Sequence, residues 1–237
     1  MSQARKNTVL RVTAEFVVIV VGVLVAFAVD DWATDRAERA EARRYIERLA
    51  VEVRNDSAVY ETFFLPALAR SDSVLLDVRA VAMGRASVPR DTVSFLVDLA
   101  ATSATPLLST IGSTYDEMLA TGSLNVLEPP ELRSAIVAYY SAVNLAKVTS
   151  ESRESAYPAF VRSYLPDARA AYADNPASLE TTLRSYGLRQ AVEMVGTRAF
   201  LDALNQHAAY ISVMRPTVLL LQADAHDLIR RLDEAGR

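Results

Sequence analysis

The chain has 237 residues, a formal net charge of −4 and no cysteine. The absence of cysteine excludes disulfides, thiolate metal sites, covalent haem attachment and cysteine nucleophiles. The slightly acidic charge, with no basic block, argues against a nucleic-acid partner. Seven glycines and nine prolines are few for a turn-rich β sandwich or barrel, so the composition predicts an all-α fold.

The first predicted element is a membrane-spanning helix. Residues 16–29 form an unbroken apolar run that is rich in valine, and Asp30, Asp31 and Trp32 follow it. As a helix this run covers about 21 Å, which is shorter than the ~30 Å hydrocarbon core of a bilayer. A spanning helix must therefore begin earlier in the chain.

An extension to residues 8–32 gives about 25 residues, which is enough to cross a bilayer. It includes Arg11 and Glu15, which lie four residues apart on one helix face and can pair and snorkel near the boundary. Glu15 could instead contact another membrane helix. We predict a short basic tail at 1–12, a transmembrane anchor at 13–32 and one extramembrane domain at 33–237.

A cleaved secretory signal is the alternative interpretation of this region. Arg5 and Lys6 resemble its basic start, and residues 26–28, Ala-Phe-Ala, fit a cleavage site. The helical pattern, however, continues past that site, so we expect the segment to be retained.

The charges around the anchor predict its orientation. The basic tail precedes the apolar run, whereas Asp30, Asp31 and Asp35 come first after it. This asymmetry favours a cytoplasmic N-terminus and a periplasmic domain in the bacterial inner membrane. Five arginines between residues 36 and 48 leave the inverted topology open.

The helical pattern continues without a breaker after the anchor. Apolar side chains recur near 3.6-residue spacing over residues 33–64, with Arg and Glu on the other face. Anchor and segment together are predicted to form one rod of some 55 residues, roughly 80 Å long. Pro66 is expected to kink or restart this helix.

Proline and glycine set the bounds of the later helices. Gly84 and Gly122 follow helical patterns as terminators, Pro130 fits the first position of a helix, and Pro216 is expected to kink the last one. Pro158, Pro166 and Pro176 are expected to cut the chain between 157 and 187 into short pieces. The remaining helices are predicted at about 67–83, 91–101, 113–121, 130–155 and 197–235.

The residues that could carry chemistry form no catalytic pattern. His207 and His226 lie nineteen apart and point about 100° from each other on one helix, so they do not form a joint metal site. We interpret them as surface or satisfied core histidines. Asp30 and Asp31 fit helix termination or interfacial solvation better than cation binding. No phosphate-binding glycine loop and no serine elbow occur, so we predict no cofactor and no enzymatic activity.

Two sequence blocks resemble a family of uncharacterised bacterial single-pass membrane proteins. The first block is the anchor, in which Glu15, Gly22, Ala26 and Trp32 stand at matching positions. The family's usual Asn-Asn before the tryptophan is Asp30-Asp31 here, which makes this interface more acidic. The second block comprises Tyr115-Asp116-Glu117-Met118-Leu119, Thr121-Gly122, Leu132-Arg133 and Tyr139-Tyr140. Together the blocks cover about a quarter of the chain. The resemblance implies an anchored all-helical domain and supplies no activity.

The function expected from these features is that of a non-catalytic scaffold subunit on a larger bacterial membrane assembly, with respiratory and photosynthetic reaction-centre complexes as examples. Its partners would be the lipid bilayer and other integral membrane proteins, and a homo-oligomer is compatible with the sequence. Arg11, Glu15, Gly22 and Trp32 are the candidate contacts of the anchor. The alternative is a periplasmic ligand-binding or sensory domain that acts through a membrane partner, for which a cavity lined by Arg133, Tyr139 and Tyr140 would be evidence.

Overall fold

A computed structural model describes residues 3–103, 112–152, 155–165, 181–184, 186 and 188–236. Side chains are described from residue 20 onward, except those of Ser152 and Leu188. Every regular element in these ranges is helical. The all-α prediction is confirmed.

The first helical path is longer than any other in the described chain. Helix α1 covers Gln3–Val59 (57 residues), a π-helical turn covers Tyr60–Phe64, and α2 covers Leu65–Ala82. The predicted rod is therefore confirmed, and the helix continues beyond its predicted end.

The α-helix restarts at Leu65, next to Pro66, which is one of the two predicted outcomes, a kink or a restart. The preceding turn is π-helical, and its Leu65 N–H reaches back to the Tyr60 carbonyl. Proline cannot donate a backbone hydrogen bond, and it is tolerated in the first turn of a helix. Pro66 occupies the first turn of α2, where the missing N–H has no consequence.

The other helices begin and end close to their predicted bounds. Asp91 and Thr197 cap two of them through hydrogen bonds from the N–H of Ser94 and Phe200. Pro166 and Pro176 lie outside the described residues. The helices are α3 Thr92–Thr102, α4 Ser113–Thr121, a 3-10 turn Ser123–Val126, α5 Pro130–Ser152, α6 Tyr157–Tyr164, α7 Leu188–Val195 and α8 Arg198–Ala235.

Helix α8 organises the domain core. It packs against α1, α2 and α5. Asp233 pairs with Arg54 of α1, and Arg215 pairs with Asp72 of α2 at 3.1 Å, so α8 runs antiparallel to the first path. Its buried residues recur every three to four positions and are Phe200, Ala203, Leu204, His207, Tyr210, Ile211, Met214, Val218, Leu221, Ala225, Leu228 and Leu232.

In the described part of the chain, no helix combines the length and apolar character needed to cross a membrane. The backbone of α1 is helical throughout residues 13–32. The predicted helix at these positions is confirmed, whereas its insertion into a bilayer has no support from the fold.

Candidate functional site

One face of α1 carries polar side chains that bond to the segment from α4 to α5. These side chains recur every three or four residues, so they lie on one side of the helix. Their partners all fall between residues 113 and 140. We call the set the polar stripe; its members are Glu41, Tyr45, Arg48, Glu52 and Asp56.

Glu52 caps the N-terminus of α4. The residue at the cap position is Gly112, which has no side chain to accept a hydrogen bond. The Glu52 carboxylate instead accepts bonds from Ser113 Oγ at 2.7 Å, Thr114 N at 3.0 Å and Thr114 Oγ1 at 2.7 Å. A carboxylate here satisfies an unpaired helical N–H and opposes the positive end of the helix dipole. The cap therefore ties α4 to α1.

The half of the polar stripe nearer the N-terminus of α1 is more exposed. Arg48 donates to Glu117 at 2.6 Å, Tyr45 donates to the same carboxylate at 3.3 Å, and Ser123 donates to Glu41 at 3.3 Å. The Arg48 and Glu117 side chains are both nearly half exposed. Exposed ion pairs contribute little to stability, so these bonds fix the register of α4 more than they add free energy.

Asp56 is the buried end of the polar stripe. Its exposed fraction is 8%, and Tyr139 donates a hydrogen bond to it from Oη at 3.0 Å. Tyr60 Oη lies 3.5 Å from Tyr139 Oη, at the outer limit of a hydrogen bond. Burial is the main cause that raises the pKa of Asp56 to about 6; the Tyr139 hydrogen bond lowers this pKa, and the negative charge of Glu52 adds to the increase. No cation in the described part of the chain neutralises Asp56.

Two stacked tyrosines close the interface beside Glu52. The rings of Tyr115 and Tyr140 are nearly parallel, with centroids 4.4 Å apart, and Tyr140 Oη lies 3.4 Å from Glu52 Oε2. A Cβ at Gly112 would lie 3.1 Å from the Tyr140 ring, so glycine allows this close approach. Burial raises the pKa of both Tyr139 and Tyr140 well above the usual range, which keeps these phenols neutral.

The structure brings together only part of the second sequence block, whose candidate residues are Tyr115, Leu119, Gly122, Leu132, Arg133, Tyr139 and Tyr140. Tyr115, Tyr139 and Tyr140 converge on the polar stripe, as described above. Gly122 ends α4 in the left-handed conformation, with φ of 73°, as its predicted role as terminator requires. Leu132 is buried in the core.

Two residues of the second block lie elsewhere. Leu119 is exposed on the outer side of α4. Arg133 donates to the side chain of Asn125 at 3.4 Å and is not part of the tyrosine cluster. Tyr139 and Tyr140 therefore face α1 through hydrogen bonds to Asp56 and Glu52, without Arg133.

The sequence analysis missed Glu52 and Asp56. A signal for Asp56 was present, because it lies on the apolar stripe of α1 between Val53 and Tyr60. A carboxylate at a core-facing position of a helix predicts a buried polar contact. Glu52 gave no comparable signal, since its partners lie some sixty residues away in sequence.

His207 belongs to a separate buried cluster. Its ring is 1% exposed, and Nε2 lies 3.0 Å from the Thr102 carbonyl, so Nε2 carries the proton and donates it. The Ser155 hydroxyl then donates to Nδ1 at 2.9 Å. The Tyr157 ring stacks on the imidazole at 4.9 Å. Both ring nitrogens are satisfied, as a core histidine requires, and burial lowers the His207 pKa to about 4.

Ser155 and His207 are in contact as a nucleophile and its base would be, but the low basicity of His207 is unfavourable for that role. A catalytic base works best with a pKa near the operating pH. Burial stabilises the neutral imidazole of His207, so its capacity to accept the hydroxyl proton at neutral pH is low. His226 is exposed. Within the described residues, no group of three or more potential ligands could hold a metal ion.

The candidate residues of the anchor are only partly described. The side chains of Arg11 and Glu15 lie outside the described residues, so their pairing stays a prediction. Gly22 is exposed, with open space around it. Trp32 is also exposed, and the Arg36 guanidinium lies 5.8 Å from its ring centroid.

In comparisons with known proteins, no family model, no curated protein and no solved structure matches this chain.

Proposed function

We propose that this protein is a non-catalytic, membrane-anchored structural subunit that packs onto a larger bacterial membrane assembly. One observation carries the proposal: α1 presents an exposed apolar surface from Val20 to Trp32 and then enters the domain core as the same helix.

Exposure of this apolar surface to water is energetically unfavourable. Every described side chain from residue 20 to residue 40 is exposed, so none of them packs on the domain. This stretch includes Val21, Leu24 and Val25, and Phe27 is 63% exposed. Burial of one such side chain contributes roughly 1.5–3 kcal/mol. Exposed apolar patches of this kind mark contacts with a membrane or a protein.

The residues at the end of the apolar run fit a membrane–water interface. Tryptophan concentrates at the level of the lipid headgroups, and arginine near a helix end extends its charge towards water. Trp32 and Arg36 stand one turn apart in contact with each other. In this proposal the anchor covers residues 13–32 in the bacterial inner membrane, with the N-terminus cytoplasmic and the domain periplasmic.

The connection between anchor and domain supports a structural role. α1 continues from the apolar surface to the buried core residues Tyr45, Ile46 and Leu49 without a break. The polar stripe then fixes α4 and α5 to the same helix. A partner in the membrane would thus hold the domain at a fixed distance, as a scaffold requires.

Insertion of the anchor can be tested with a pair of matched variants. Each arginine near the centre of a spanning helix costs about 2.5–3.5 kcal/mol of insertion free energy. We expect the double variant Val21→Arg/Val25→Arg to be released by a carbonate wash that leaves the natural chain in the membrane. The control, Val51→Arg/Val59→Arg, changes two exposed valines of the same helix outside the apolar run and should remain bound. Equal retention of both variants would contradict the anchor.

The scaffold function is tested by gentle detergent extraction from the native membrane, native electrophoresis and mass spectrometry of the band that contains this chain. Stoichiometric co-migration with a large complex, such as a respiratory or photosynthetic reaction-centre complex, is the expected result. Migration only as a monomer or a small homo-oligomer would contradict the scaffold function.

A sensory or ligand-binding ectodomain that acts through a membrane partner is the second candidate. The observation that favours it is Asp56, a buried carboxylate at the interface of α1 with α5 that no cation among the described residues neutralises. Such an interface is less stable than an apolar one and could open in response to a signal. Hydrogen exchange of α4 and α5 that changes on ligand addition, while the rest of the domain keeps its protection, would support this function over the scaffold.

A further inference from the structure

The outward face of α5 is almost free of charge. Between residues 134 and 148 the exposed side chains include Leu145, which is 68% exposed, and only one charged residue, Lys147. In the whole chain 23% of residues are charged. The exposed residues are Ser134, Val137, Ala138, Ser141, Asn144, Leu145, Lys147 and Val148.

Most of these residues lie along one line of the helix. Val137, Ser141 and Val148 are separated by four and seven positions, and Leu145 lies four positions after Ser141. This is the spacing of a helix seam that packs against a second helix. We call Val137, Ser141, Asn144, Leu145 and Val148 the α5 seam.

We propose that the α5 seam is the contact between two copies of this chain, related by a twofold axis parallel to α5. The proposal rests on the membrane anchoring proposed above, because both copies must enter the same bilayer. The α5 seam of one protomer therefore packs against the α5 seam of a second protomer.

The direction of α5 in the fold permits this arrangement. Ser123, shortly before α5, bonds to Glu41, whereas Tyr139 within α5 bonds to Asp56. α5 therefore runs in the same direction as α1, away from the anchor. A twofold axis along α5 leaves both anchors at the same end of the dimer. An antiparallel contact of the two α5 helices would place them at opposite ends.

The chemistry of the α5 seam also suits contact with its own copy. In a parallel twofold contact each residue on the axis meets its own equivalent, so any charge there would face a like charge. The seam carries none, and Lys147 lies beside it. Ser141 is small enough for close helix approach. Asn144 can hydrogen-bond its equivalent, a contact that fixes the register of parallel helix pairs.

A second exposed apolar stretch, on α8, fits this arrangement less well. Leu219 and Leu220 are exposed there, but Arg215 lies one turn before them and pairs with Asp72. A parallel twofold contact along this stretch would bring two copies of that ion pair together. α5, which has an uncharged seam, therefore fits the twofold contact better than α8.

The size of the α5 seam indicates a dimer that forms in the membrane. From Val137 to Val148 the α5 seam spans twelve residues and extends over about 18 Å. One helix pair of that length buries less than the roughly 800 Å² per partner of a standard independent interface. Anchors in one bilayer raise the effective concentration of the two domains and offset this deficit.

The absence of cysteine allows a direct test by cysteine cross-linking in membranes. Single variants Val137→Cys, Val148→Cys and Leu76→Cys are made in the full chain, washed with carbonate and oxidised. Leu76 is the matched control on α2, 64% exposed. We expect disulfide-linked dimers from the first two variants at five-fold or greater yield over the third. A parallel twofold axis brings residue 137 near 137 and residue 148 near 148, whereas an antiparallel pair does not.

Yields at residues 137 and 148 no higher than at residue 76 would overturn the proposal. Cross-links between 137 and 148 in a mixture of the two variants, without either homotypic link, would show an antiparallel pair and overturn it as well. As a second measurement, Leu145→Lys should reduce the Val148→Cys cross-link several-fold, because it would bring two like charges close together at the contact. No reduction would contradict contact along the seam.

The carbonate wash separates failure of this proposal from failure of the proposed function. Protein that stays in the membrane but does not cross-link refutes the dimer alone. Protein that is washed off refutes the anchor, and with it the dimer, which depends on anchors in one bilayer.

Discussion

At the scale of single residues, Asp56 lowers the stability of the fold at neutral pH. Its folded pKa of about 6 exceeds its ordinary value of 3.8. A raised carboxyl pKa means that the folded chain binds the proton more tightly than the unfolded chain. Ionised Asp56 therefore destabilises the fold at pH 7 by about 3 kcal/mol relative to an unperturbed carboxylate.

We expect Asp56→Asn to stabilise the full chain in mild detergent at pH 8, by about 1–3 kcal/mol of unfolding free energy. Asparagine keeps an oxygen that accepts the Tyr139 hydrogen bond and removes the buried charge. The measurement is denaturant unfolding of both proteins. The control is Asp77→Asn, at an exposed position of α2. A loss of stability in Asp56→Asn, beyond that of the control, would show that the charge is needed at this position.

At the scale of helices, α4 depends on a neighbouring helix for its cap. Most helices supply this acceptor from the residue just before the first turn. Gly112 cannot, so Glu52 reaches across from α1 and also accepts from Ser113 and Thr114. The position of α4 is thus determined by α1 and not by its own sequence.

Removal of the Glu52 cap should lower the free energy of unfolding by a measurable amount. Glu52→Ala should destabilise the full chain by about 1–3 kcal/mol, because it leaves helix donors unpaired and removes charged hydrogen bonds. Glu52→Gln should cost less, since its amide oxygen still accepts. Glu47→Ala, at an exposed position of α1, is the control and should change stability by less than about 0.5 kcal/mol. If all three variants unfold alike, Glu52 does not act as the cap.

At the scale of the whole molecule, two buried titrations oppose each other. Below pH 6 the folded chain keeps Asp56 protonated, so this group makes the fold more stable as pH falls from about 6 to 4. His207 has a folded pKa of about 4 against an ordinary 6.5, so the unfolded chain binds its proton first. Stability from His207 is complete above pH 6.5 and is lost as pH falls towards 4. The two effects nearly cancel between pH 6 and 4.

Asp56→Asn should remove this cancellation. Relative to the natural chain, the variant should lose its stability advantage as pH falls from about 6 to 4, by about 3 kcal/mol in all. The measurement is the difference in unfolding free energy between the two proteins, taken at half-unit steps from pH 7.5 to 4. A difference that does not vary with pH would contradict a raised Asp56 pKa.

The sequence by itself determined the helices and most of their ends. Their signals are local: apolar side chains at helical spacing, Asp91 and Thr197 as caps, and Gly122 in a conformation that L side chains rarely adopt. His207 was predicted to be either a surface histidine or a core histidine with its hydrogen bonds satisfied, and the structure shows the second. The π-helical turn that accommodates Pro66 was not predicted, because its hydrogen bonds depend on neighbouring residues and carry no strong sequence pattern.

Only the tertiary structure decided which residues share a site. Tyr139 and Tyr140 were recognised, but their partners Asp56 and Glu52 lie over eighty residues earlier in the chain. Helical periodicity gives the face on which a side chain lies and not the helix that the face will meet. That pairing follows from the packing of α1, α4, α5 and α8 around one core, which buries Asp56 and leaves the α5 seam exposed.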